Sequence, residues 1–237
     1  MFSPSSDTPS DSASEAFALW LASRRSVRGF LPEAVAPDVL SRMMVAARRA
    51  PSGANLQPGR FWAVQGGLRQ RLSDALVEAW RRDGQEAEDY AYFPEPLPMG
   101  LRKRQAASAQ ALYGALGVAR GDAAGRAAQF ERNYRFFDAP VAIIVTIDRD
   151  FGPGGYMDLG MALYGLMLAA RAEGLDSCAI GAMASFPRLI RETLGLDAQQ
   201  AVVCGVAIGR ADPLAPANGC ETVRCAEEDY FQVLGGD

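Results

Sequence analysis

Apolar residues recur along this chain at two different periods, and the switches between them predict its elements. Behind Pro37, a residue suited to the first turn of a helix, Val39, Leu40, Met43, Met44 and Ala47 fall at helical spacing and predict one buried stripe. Leu68 to Trp80 and Phe186 to Leu194 read the same way, and an earlier helix is expected from Ser14, as its cap, to about Ser23, with Phe17, Leu19, Trp20 and Leu21 as its apolar content. Against these stand two unbroken runs rich in β-branched residues, Ala139 to Ile147 and Ala201 to Ile208. Each predicts a strand buried on both faces. Arg60 to Val64 reads as a shorter strand. Tyr156 to Glu173 is a helix apolar around most of its circumference, which must bury itself in a core or against another subunit. Ala226 to Leu234 is expected to close the chain as a short helix.

Between Arg82 and Arg135 the periodicity breaks up. Tyr90, Tyr92, Phe93, Pro94, Pro96 and Pro98 form an aromatic and proline-rich passage, followed by alanine-rich helical material. The stretch around 83–135 reads as an insertion in the core pattern, and either a lid or a surface helical hairpin fits it. Residues 1–13, rich in Ser, Pro and Asp, read as a disordered tail, so 14–237 is expected to be a single domain. Strands and helices interleave without regular βαβ alternation, the signature of layered mixed α/β or α+β architecture.

Composition narrows the chemistry. With 237 residues the chain can bury a sizeable core, and its formal net charge of -4 gives none of the basic surplus that nucleic acid demands. The longest apolar stretch, Leu159 to Ala170, is too short to span a bilayer, and no secretion signal precedes it. The chain has no histidine, which excludes Ser-His and Cys-His catalysis and the commonest zinc and haem ligand sets. Cys178, Cys204, Cys220 and Cys225 contain no CxxC pair and are expected as reduced thiols of a cytoplasmic protein. The chemistry must therefore come from carboxylates, lysine, cysteine, an oxygen-bound metal or a borrowed cofactor.

Two segments carry candidate chemistry. Arg24, Arg25, Ser26 and Arg28 place three guanidinium forks and a hydroxyl within five residues, a set that suits a phosphate monoester but also suits the solvated end of a helix. The loop Ala50 to Pro58 contains Pro51, Ser52, Gly53, Asn55 and Gln57, whose polar groups could read the edge of a heteroaromatic ring or simply satisfy a turn.

Their order and spacing resemble the nitroreductase family. RRSVRGF, then APSGANLQP, then a short strand matches its N-terminal signature. Phe136 to Pro140, Asp158 to Gly160, Ala169 to Leu175, Gly209 to Pro213 and Arg224 follow in order. The aromatic insertion resembles the branch of nitrobenzoate and chloronitrobenzene reductases. The resemblance implies an α+β, three-layer fold with a central mixed β-sheet flanked by helices, and a homodimer with FMN at its interface. It implies that Arg24, Arg25, Ser26, Arg28 and Arg224 hold the flavin phosphate and ribityl chain. Pro51, Ser52, Gly53 and Asn55 would reach that flavin from the other subunit, and Ala179, Ile180 and Gly181 would lie along its ring. Gly53, Gly59, Arg210 and Ile180 depart from the family's usual serine, tryptophan, tyrosine and, in some members, glutamate. The Gly59 change is expected to loosen packing.

With FMN as the redox group, the absence of histidine is understandable, because the cofactor brings the reactivity and the protein brings orientation. No glycine-rich dinucleotide fingerprint is present, so NAD(P)H is expected as a passing substrate in a ping-pong cycle, with no protein side chain as catalyst and no metal. Tyr90, Tyr92, Phe93, Tyr134, Phe136 and Phe137 are candidates for the substrate wall, or for plain core. The same fold could instead serve enone reduction or reductive dehalogenation, or a flavin-binding protein without enzymatic activity.

Overall fold

The computed structural model describes residues 11–235, and within them the two long β-branched runs form the middle of one sheet. Strands β1 (Arg60–Gln65), β2 (Val141–Asp148), β3 (Asp176–Ile180) and β4 (Gln200–Gly209) lie in the order β1-β2-β4-β3, every ladder antiparallel. The parallel component is an isolated bridge, Ser26 to Ser177, at the outer side of β3. β2 and β4 are central and buried along nearly their whole length, as hydrophobic runs without alternation require.

Alternation within β2 builds two cores. Ala142 and Ile144 face one cluster with Leu72, Leu76, Phe136, Phe186 and Ile190, while Val141, Ile143, Val145 and Ile147 face another with Leu40, Met43, Leu159 and Leu166. The first cluster is roofed by α3 (Gly66–Asp83) and α7 (Pro187–Leu194), the second by α2 (Pro37–Ala47) and α6 (Pro153–Ala172). Leu40, Met43 and Ala47, the stripe expected behind Pro37, are the buried residues of α2. The result is the three-layer α+β arrangement.

Several boundaries differ from the sequence reading. Helix α1 (Asp11–Ser23) opens three residues before Ser14, so Asp11 to Ala13 are helical and Ser14 is no cap; the rest of the expected tail, residues 1–10, lies outside the described residues. The expected helix at 226–234 is a single turn at Glu227–Asp229, followed by exposed Tyr230, Phe231, Val233 and Leu234. Its apolar side chains stay exposed among the described residues, and packing supplies most of a short helix's stability. β3 escapes the pattern altogether because DSCAI is short and opens on two consecutive polar residues, Asp176 and Ser177.

The insertion contributes α4 (Met99–Ala115) and α5 (Ala123–Glu131). The passage leading into them is pinned rather than loose. Glu86 accepts hydrogen bonds from the Arg188 and Leu189 amides (2.9 and 3.3 Å) at the start of α7 and pairs with the Arg188 guanidinium. Asp89, buried, binds Arg149 at 2.6 Å and Arg191 at 2.5 Å and accepts the Val202 amide at 3.0 Å. The Tyr90 hydroxyl donates to the Val203 carbonyl at 2.7 Å.

Candidate functional site

The arginine run leaves α1 extended because Val27 is driven into the core. Val27 is fully buried, its amide donates to the Ser177 carbonyl at 3.1 Å, and Ser26 and Arg28 on either side stay half-buried at the surface. Asn218 fixes the turn that follows. Its Oδ1 accepts the Arg28 amide at 2.7 Å, and its Nδ2 donates to the carbonyls of Gly29 (2.8 Å) and Asp212 (2.9 Å). Burial raises the Cys178 thiol, opposed by the nearby Arg28 charge, a hydrogen bond with Ser26 and the Arg24 charge, so these three residues gather around β3.

Among the described residues, Arg24, Arg25 and Arg28 have no carboxylate partner, whereas Arg42, Arg81, Arg149, Arg171, Arg188 and Arg191 are all paired. Three uncompensated guanidinium groups on five residues have the chemistry that a phosphate demands. Arg224 is not joined to them by any hydrogen bond among the described residues; its guanidinium donates to Oγ1 and the carbonyl of Thr222, on the exposed C-terminal segment.

Along β3 the side chains alternate. Cys178 and Ile180 point into the core, so Ile180 can offer a ligand only its backbone, and Ala179 faces outward. Gly181, at the strand's end, lies beneath the Tyr92 ring: a Cβ there would sit 2.8 Å from Tyr92 Cζ. The outer strip therefore presents small residues, with Ala179 open and Gly181 covered by the Tyr92 ring. Tyr92 and Phe93 stand edge to face, centroids 4.8 Å apart, over a cavity of about 830 Å³ that opens beside Gly181 and Ala182. Tyr134, Phe136 and Phe137 are core residues instead, and Tyr90 is held by its hydroxyl to β4.

The Pro51–Asn55 loop lies at the opposite edge of the sheet, where it runs into β1. Its Gly53 amide donates to Oδ2 of Asp158 in α6 at 3.0 Å, and Ser52 Oγ accepts the Gln57 amide at 2.9 Å. Ala54, Asn55 and Gln57 have φ of 49°, 57° and 50°. Left-handed backbone at non-glycine residues costs roughly 1–2 kcal/mol each, and such cost concentrates where a loop serves binding. Gly59 (φ 96°) is not loosely packed: a Cβ there would run into Leu159 Cδ1, so Leu159 fills the space. Arg210 braces the surface through Glu33 at 3.1 Å.

Four inter-strand steps, roughly 19 Å, separate the Ser26 segment from β1. Within one chain the two candidate segments do not meet. Sequence reasoning missed Asn218, Asp89 and the clamp by Asp158. Of these, only Asp158 carried any signal, as part of the Asp158-Leu159-Gly160 motif.

Fold and segments together define a class: an α+β protein with an arginine cluster beside a strand of small residues at one sheet edge and a polar loop of left-handed backbone at the opposite edge. The family model described as "Nitroreductase family" matches residues 21–210. The chain is 36% identical over 217 residues to a 4-nitrobenzoate reductase of Pseudomonas putida, covering 92% of this chain and 95% of that protein. It is also 36% identical over 209 residues to a chloronitrobenzene nitroreductase of Comamonas testosteroni, covering 87% and 92%. Among solved structures, the FMN and NADPH-dependent nitroreductase NfnB from Sphigopyxis sp. strain HMH superposes with a TM-score of 0.88 at 38% identity, covering 92% of this chain and 99% of that one. This chain belongs to the nitroreductase family.

Proposed function

We propose that this protein is an FMN-dependent oxidoreductase that uses NAD(P)H to reduce nitroaromatic or related electron-poor compounds, acting as a cytoplasmic homodimer. The relatives named above support the activity and the cofactor. The single observation that carries the site assignment is the trio of unpaired guanidinium groups beside a strand edge of small residues.

The chemistry that FMN supplies when bound is acceptance of a hydride from NAD(P)H and delivery of electrons to the second substrate, in a ping-pong cycle. The chain's own residues bind and orient. Arg24, Arg25 and Arg28, with Ser26, would neutralise the phosphate. Ala179 and Gly181 would present that strand edge, and Ile180 its backbone. Arg224 would join the phosphate pocket through the C-terminal segment. Pro51, Ser52, Gly53 and Asn55 sit too far away in their own chain and would serve the flavin of the partner. An isologous two-fold dimer satisfies this twice over, since each edge meets its complement. The outward face of α6, with Met157 66% and Tyr164 44% exposed, and the apolar C-terminal segment supply the surface for that contact. No helix among the described residues is long and apolar enough to cross a membrane.

The purified protein is expected to be yellow, to bleach anaerobically on addition of NADPH and to regain colour with nitrobenzene. Arg24→Ala/Arg28→Ala should weaken FMN binding by at least ~100-fold, since each lost charge-assisted contact is worth about 1.5–3 kcal/mol. Dialysis against salt followed by flavin absorbance measures this; retention equal to wild type would remove the phosphate assignment.

A further inference from the structure

The cavity beside Gly181 has a charge pattern of its own. Its lining combines the Tyr92, Phe93 and Phe130 rings with Glu88 and Glu95, and no lysine or arginine lines it. The same short segment contains two kinds of acid. Glu86 and Asp89 face the body of the protein and are paired with Arg188, Arg149 and Arg191. Glu88 has only the Ser185 hydroxyl at 3.1 Å, and Glu95 has no ion-pair partner among the described residues. The carboxylates that meet the cavity are the ones left uncompensated.

Building on the nitroreductase reading, we infer that this cavity is the electron-acceptor site and that Glu88 and Glu95 set its specificity for neutral or cationic nitroaromatics, against anionic ones such as nitrobenzoates. The geometry supplies both halves of the selection. Tyr92 and Phe93 offer ring faces and edges to a flat aromatic next to the strip assigned to the flavin, and aromatic pairs prefer these offset and edge-to-face arrangements. Two carboxylates on the wall then repel a substrate carboxylate and attract an ammonium group. In a site still open to water, one such charge at close range changes binding by roughly five- to tenfold. Specificity of this kind comes as much from the repelled partner as from the accepted one.

The test measures kcat/KM on the FMN-loaded enzyme at saturating NADPH with three acceptors: nitrobenzene, 4-nitrobenzoate and (4-nitrobenzyl)trimethylammonium. The ratio of the cationic to the anionic substrate within one enzyme cancels losses of folded or flavin-loaded protein. Because the change acts on the two substrates in opposite senses, that ratio is expected to fall roughly 25- to 100-fold in Glu95→Gln and further in Glu88→Gln/Glu95→Gln, and to invert in Glu95→Lys. A ratio that stays within twofold of wild type in all three variants overturns the assignment of these carboxylates. If NADPH bleaches the flavin but none of the three acceptors reoxidises it, the reading as a nitroreductase fails, and this inference falls with it. The two failures are thus distinguishable.

Discussion

Gly59 illustrates how a single residue can look like a defect in sequence and a necessity in space. The family resemblance places tryptophan there, so glycine suggests a hole. Instead the backbone takes φ 96° and the Leu159 side chain occupies the site, so any Cβ would collide with it. Restoring the family's tryptophan is therefore predicted to harm this chain. Gly59→Trp should cost about 2 kcal/mol or more through backbone strain and overpacking. Urea unfolding checks this, and a variant as stable as wild type would show that Leu159 yields. Arg28 offers the converse case. Its charge was legible from composition, but its direction depends on Asn218, which lies 190 positions away and holds its amide.

Among the elements, the insertion is where structure adds contacts that periodicity could not give. Two readings, lid and surface hairpin, fitted the aromatic and proline-rich passage. The 86–90 stretch is fastened by Glu86, Asp89 and Tyr90 to α7, β2's exit and β4, so the wall that carries Tyr92 is a fixed one. Asp89 is the main fastening, because its buried carboxylate serves two guanidinium groups and an amide. Asp89→Ala leaves Arg191 buried without its partner, which is expected to cost about 2–3 kcal/mol, discounted from the fully buried case because Arg149 is partly exposed. Amide hydrogen exchange should rise across residues 84–93, with flavin still bound. Unchanged protection there would mean that the aromatic rings, not the ion pairs, hold the wall. β3 shows the opposite limit of legibility: five residues of mixed polarity become a strand because β4 offers an unpaired edge.

For the whole molecule, the proposed site is completed only where two chains meet. The phosphate-type cluster and the Pro51–Asn55 loop occupy opposite edges of one sheet, and the apolar residues of α6 and of the C-terminal segment remain exposed in the single chain. Sedimentation is expected to give twice the chain mass of 25.4 kDa. Tyr164→Asp, placed on the exposed face of α6, should shift the protein toward monomer and release FMN in parallel, as scored by absorbance across the same boundary. A monomer that retains its flavin would show that one chain builds the site alone.

The sequence by itself determined the strands that bury on both faces, the helices that roof them and the family to which the chain belongs, because each of these rests on local period or on motifs kept in linear order. It also identified the residue types able to hold a phosphate. Only the tertiary structure decided that Ile180 turns its side chain into the core, that Asn218 and Asp158 brace the two segments, and that those segments lie at opposite edges of the sheet. The reason is physical: periodicity records which side of an element is apolar, whereas hydrogen bonds between distant residues and the distance between two sheet edges arise only once the chain has been folded back on itself.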